Sequence, residues 1–180
     1  MTRRASDAAP SDLGMGRPVS AVNPVDLDPV DLDMRPHPEG GWYRETWRHE
    51  ATVDTPRGPR PLSTCVAFLL EPGQRSAWHR VASAELWLWQ GGGPLLLTVG
   101  GFDDAPVPGF SCELRAGGQY LVRPDEWQSA APAGGEAVLV ACVVSPGFDF
   151  ADFTLAAGDA AVTLAAEDAA AGAPVRTEPA

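Results

Sequence analysis

From residue 41 onward, apolar and polar positions alternate with the two-residue period of β-strands, not the longer period of helices. "WYRETWRH" (42–49), "STCVAFLL" (63–70), "SAWHRV" (76–81) and "AELWLWQ" (84–90) are the first such runs. "PLLLTVGG" (94–101), "GGQYLVRP" (117–124), "EWQSAAP" (126–132) and "EAVLVACVVSPG" (136–147) complete the series. Glycine and proline punctuate the runs, as in "EPGQ" at 71–74, and no amphipathic helical stretch separates them. This pattern predicts an antiparallel sandwich or barrel and excludes a βαβ architecture. Upstream, Asn23 and Pro24 suit the start of a short N-terminal helical segment, which Pro29 keeps short.

One run carries more than packing information. In "AELWLWQ" one parity gives Ala84, Leu86, Leu88 and Gln90, and the other gives Glu85, Trp87 and Trp89. Side chains alternate across a strand, so one face is aliphatic and the other is Glu-Trp-Trp. A buried carboxyl needs a partner or water, which a ligand-sized barrel interior supplies. His79 stands six residues before Glu85 on the preceding strand.

Composition narrows the picture. The chain has 180 residues, enough for one domain with a sizeable core. Residues 1–22 and 157–180 lack apolar periodicity and are expected to be mobile tails around a domain at 23–156. The net charge of -11 argues against a nucleic-acid partner. No lysine is present, which excludes Schiff-base chemistry and a phosphate-loop lysine. No apolar run nears the ~20 residues that span a bilayer, and the N-terminus lacks a signal-peptide core, so neither a membrane partner nor export is expected. Three widely spaced cysteines, two of them in apolar strands, predict free thiols and a cytoplasmic protein.

Two motifs resemble those of the cupin superfamily. Gly73 is followed after five residues by His79, then Glu85, then Gly92, with Val81 where a second histidine would stand. "GGQYLVRPDEWQSA" (117–130) has the form of the second motif, with Gln128 at the final histidine position and Asp125 at a turn glycine. More closely, the chain is similar to the small single-domain cupin-5 group. "HPEGGWYRET" (37–46), "STCVAFLL", "SAWHRVASAELW" (76–87), "WQSAAP" (127–132) and "SPGFDFADF" (145–153) carry that likeness in order. The resemblance implies an all-β double-stranded β-helix, or jelly roll, a homodimer, and a site inside the barrel. "SAELWLWQ" departs from the group's more polar pattern here, with Leu88 and Gln90 at histidine positions.

At these positions His79 and Glu85 are expected to act as an acid/base pair, with no cofactor. Trp87 and Trp89 would form a stacking wall, Gln128 would orient substrate, and Arg44 and Glu45 would bind it at the mouth. The blander alternatives are a backbone-bonded His79, a Glu85 paired with arginine, and a surface cluster of Glu39, Arg44 and Glu45. Asp149 and Asp152 are read as local backbone caps, and Trp42 and Trp127 as packing residues. The leading functional reading is a small-molecule-binding, metal-independent isomerase, epimerase or lyase. One alternative is a metal-dependent dioxygenase or isomerase in which His79, Glu85 and Gln128, helped by His37 or His49, hold a divalent transition metal. The other is a module that binds a small ligand without catalysis.

Overall fold

The computed structural model describes residues 27–158. The N-terminal tail, the Asn23–Pro24 helix start and nearly all of the C-terminal tail lie outside the described residues. The described chain contains β1 (Arg35–Pro36), β2 (Trp42–Arg48), β3 (Thr52–Thr55), β4 (Gly58–Pro61), β5 (Thr64–Leu70), β6 (Ser76–Val81) and β7 (Ala84–Gly92). It continues with β8 (Leu95–Val99), β9 (Ser111–Leu114), β10 (Gln119–Val122), β11 (Gln128–Pro132), β12 (Val138–Ser145) and β13 (Phe153–Leu155). A 3-10 turn at Phe150–Asp152 precedes β13. No helix among the described residues is long and apolar enough to cross a membrane.

All strand pairs are antiparallel. One sheet has the order β1-β2-β5-β12-β7-β10, the second β13-β6-β11-β8-β9, and β3-β4 form a separate hairpin. The two larger sheets share one interior: Phe68, Leu70, Trp87, Val138 and Val140 of the first pack with Leu95, Leu97 and Ala130 of the second. This is the jelly roll expected from the sequence. The long apolar strands were legible because each buries most of one parity, and β6, β8 and β12 bury all of it. The pattern missed β1, β3, β4, β9 and β13, which span two to four residues each. Such pieces are too short to show an alternation.

The outer face of the six-stranded sheet has its own apolar layer. Ala67, Leu69 and Leu139 are buried there beneath Leu27, Leu32, Met34 and Trp42. The turn at 28–34 is tied down by Leu32 N–H to Asp28 O and Met34 N–H to Pro29 O. Directly after it, β1 pairs with β2, which carries residues 37–41 across one end of the barrel.

Candidate active site

That end of the barrel is hollow. A cavity of about 220 Å³ opens between the sheets. Its walls come from alternate residues of the central strands: Thr64 and Val66 on β5, Cys142 and Val144 on β12, His79 and Val81 on β6. Glu85 of β7 closes it on the side of the core. Arg35, Tyr43, Glu45, Arg48 and Asp149 stand nearer the entrance, beside Phe148, Phe150 and Phe153.

The segment "HPEGG" brings in two groups that the strand pattern did not assign to the site. Gly40 lies so near β6 that a Cβ there would come within 2.3 Å of the Arg75 carbonyl oxygen, and its φ is +101°. Only glycine fits that approach. The contact lets Ala77 N–H donate to Glu39 O at 2.7 Å, which delivers the Glu39 side chain to the cavity. Glu39 is 6% exposed, so it is no part of a surface cluster. Its Oε1 accepts from the Ser76 hydroxyl at 2.8 Å. Its Oε2 lies 3.4 Å from His79 Nε2 and 3.3 Å from His37 Nδ1.

His79 is 2% exposed and stacks on Phe153, with centroids 5.5 Å apart. Its Nδ1 sits 2.9 Å from the Ala77 carbonyl oxygen, which can only accept. Nδ1 therefore carries a proton toward that carbonyl, and Nε2 is the nitrogen turned to Glu39. Burial is the largest influence on Glu39 and would raise its pKa. The charges of His79 and His37, with hydrogen bonds from His37 and Ser76, outweigh it and bring the carboxyl down to about 2. Glu39 is therefore an ionised carboxylate held against His79.

Glu85 lives under the opposite balance. Burial pushes its pKa up, the Glu39 charge adds to this, and His79 only partly offsets it. A relay from the core fixes its orientation. Trp87 Nε1–H donates to Gln128 Oε1 at 2.8 Å, and Gln128 Nε2–H donates to Glu85 Oε2 at 2.5 Å. An indole can only donate, so the amide has one satisfied orientation. The thiol of Cys142 also bonds Glu85, and burial, with the charges of Glu85 and Glu39, pushes that thiol well up. A carboxyl whose pKa is raised by burial and a histidine set against a carboxylate thus face one cavity. The two carboxyls of the cavity are pushed in opposite directions, Glu39 down and Glu85 up, a separation that suits acid and base roles.

The expected site residues divide by position. His79, Glu85 and Glu45 line the cavity, while Trp87, Trp89, Gln128 and Arg44 do not. Trp87 is fully buried in the core, and Trp89 packs against that core with Nε1–H bonded to Gly93 O. Neither forms a ligand wall, because the barrel is filled at their level. The aromatic surface comes instead from Tyr43, Phe68, Phe148, Phe150 and Phe153, four of them phenylalanines outside the tryptophan-rich strand. Gln128 is 0% exposed and acts through Glu85. Arg44 pairs with Ala67 on the outer parity of the sheet, so it points away from the cavity that Tyr43 and Glu45 face. Arg48 reaches the cavity because the β2–β5 register shifts between Glu45 and Trp47. It binds Glu45 through two nitrogens, at 3.0 and 2.6 Å. Asp149 does cap a backbone group, accepting from Ala151 N–H. Asp152 instead makes a buried two-point ion pair with Arg60 of β4.

The metal set considered from sequence does not assemble. Both polar atoms of Gln128 are committed, one to Trp87 and one to Glu85. His37 does reach the cavity, but it faces Glu39. His49 does not line the cavity and accepts from Ala51 N–H. Among the described residues, no three His, Cys, Asp or Glu side chains form a group able to hold a metal ion. The donors present do not fit the centre of three or four ligands that the resemblance implies.

Comparison with known proteins agrees with the fold. A solved structure of a hypothetical protein from Leishmania major is similar at 30% identity and TM-score 0.62, over 77% of this chain and 90% of that one. A protein from Shewanella oneidensis gives 30% identity and TM-score 0.63, over 79% and 90%. An uncharacterised Klebsiella pneumoniae protein with a double-stranded β-helix domain gives 23% identity and TM-score 0.50, over 73% and 96%. No curated protein matches the chain. A family model described as the cupin superfamily (DUF985) matches residues 30–156, and with that span and this barrel the chain belongs to that family.

Proposed function

We propose that the hollow end is the active site of a metal-independent acid/base enzyme of the isomerase, epimerase or lyase type. The supporting observation is the pairing, in one cavity, of His79 held by Glu39 with a Glu85 whose environment favours the protonated form. In this reading His79 takes a proton from carbon next to a carbonyl, with Glu39 beside its Nε2 to balance the charge that the imidazole gains. Glu85 gives its proton to the carbonyl oxygen, leaving a neutral enol. Return of the two protons, at the same or a neighbouring carbon, restores both residues and releases an isomer. Gln128 and Glu39 act as positioning residues. A homodimer belongs to the same reading, with Leu86, Leu88 and Leu121 on the outward parity of the six-stranded sheet as its supporting surface. Sedimentation at twice the chain mass is the expected result.

The direct test is solvent-deuterium exchange. Small carbonyl compounds incubated with the protein in D₂O are followed by proton NMR. Exchange at the carbon beside the carbonyl is expected, slowed about 10²–10⁴-fold in both His79→Gln and Glu85→Gln. Tight binding of a compound recovered without deuterium would replace this reading with that of a binding module.

A further inference from the structure

The charged groups of the cavity are nearly all spoken for. Glu39 is held by two imidazoles and the Ser76 hydroxyl, and Glu85 by the Gln128 amide. Glu45 is taken by Arg48. Asp149 accepts from Ala151 N–H, and its field falls on Arg48 and Arg60. Arg35 is different. Its guanidinium lies over the Tyr43 ring, 4.7 Å from the centroid, and among the described residues no carboxylate pairs with it. Stacking occupies the flat face of a guanidinium and leaves its rim of N–H donors free. Tyr43 thus holds a two-pronged donor at an exposed part of the same lining that contains His79 and Glu85.

The middle of the cavity is apolar and aromatic. Val66, Phe68, Val144 and Phe153 line it, and Phe150 stacks near the His37 ring. The volume of about 220 Å³ is below the range of roughly 300–1,000 Å³ that suits drug-sized ligands. We infer that the cavity takes a small monocarboxylate with a flat apolar body, its carboxylate on Arg35 and its opposite end toward His79 and Glu85. The inference rests on the acid/base reading for which end of the ligand reacts. It is notable for a chain of net charge -11, where the overall field repels anions and a local cation must supply the attraction.

Calorimetric titration with 3-phenylpropanoate and with its neutral isostere 3-phenylpropanamide tests this on the full chain. Arg35 is exposed on a two-residue edge strand, so Arg35→Gln leaves the core untouched. The carboxylate is expected to bind at least about tenfold tighter than the amide, as a charge-assisted pair should. That preference should collapse toward parity in Arg35→Gln and persist in His79→Gln. Equal binding of acid and amide, binding of neither, or a preference that survives Arg35→Gln would overturn the assignment. Deuterium exchange is scored separately and depends on His79, so failure of the carboxylate assignment and failure of the acid/base reading give different results.

Discussion

The two ends of the barrel interior are built by the same strands and behave as different materials. On β7, Glu85 faces the cavity while Trp87, two residues on, is fully buried in packed core. On β12, Val144 and Cys142 face the cavity while Val140 and Val138 are each 1% exposed in the core. On β5, Thr64 and Val66 are followed by Phe68, which belongs to both. The β12–β7 ladder slips once, between Leu139 and Val140, and side-chain volume changes along β5 and β7. Trp87, Leu70 and Leu95 fill one end, and at the other the short or polar side chains of Thr64, Cys142 and Glu85 leave a space that aromatic rings line without filling. Gln128 sits at the boundary, with its oxygen on Trp87 and its nitrogen on Glu85. The filled end therefore sets the orientation of an acid in the hollow one.

This contrast can be broken at either end. Trp87→Ala is expected to cost about 3–5 kcal/mol in denaturant unfolding, because it leaves a large void and removes the donor to Gln128. A cost near 1 kcal/mol would mean that the filled end is loosely packed. Glu39→Gln should cost about 3 kcal/mol at neutral pH, from a shift of 4.5 to about 2 in the folded state. The sign follows from a depressed carboxyl. Its contribution is complete above pH 4.5 and disappears as the pH falls toward 2, so the variant should show a flatter acid limb. A limb unchanged from wild type would remove Glu39 from the network.

Glu85→Gln should have the opposite trend. A raised carboxyl favours folding below pH 4.5 and loses that contribution as pH rises through its folded pKa. The variant is therefore expected to gain on wild type as pH rises, while losing exchange activity. Thermal melts across pH 4–9 read the difference, and a variant that falls behind at high pH would show an ionised, stabilising Glu85. The smallest effect belongs to Trp89→Phe, which keeps the ring and loses the bond to Gly93 O. About 1 kcal/mol is expected, with ligand binding unchanged. A change in binding there would mean that the cavity extends past Trp87.

Much of the fold could be read in the chain, because a strand that buries one parity advertises it in sequence. The placement of His79 and Glu85 in the barrel followed from the cupin resemblance and its motif spacing, since parity alone leaves open which face points inward. The division of the interior did not. Trp87 and Trp89 share the Glu85 face, but alternation says only that they point inward, not whether the inside is full at that height. Glu39 escaped for a different reason. It sits in an irregular loop, where no period applies, and its burial depends on a backbone contact with Arg75, 36 residues later in sequence. The signal was present in Gly40 and Gly41, because adjacent glycines permit close approach to another strand. Arg44 was assigned to the mouth because the resemblance puts its strand there, while its parity opposes that of Tyr43 and Glu45.

The shifted register in β2 has an evolutionary consequence. In a regular strand Glu45 and Arg48, three residues apart, would point to opposite sides. The irregularity at Thr46 lets both address the mouth. Straightening the strand without shortening it would turn Arg48 to solvent and present Trp47 in its place. Strand β2 lies at the margin of its sheet, separated from the buried strands β12 and β7 by β5. One local slip could thus rewrite the chemistry of the entrance while the interior ladder kept its pairing, and a lineage could trial new ligands there without first having to redesign its core.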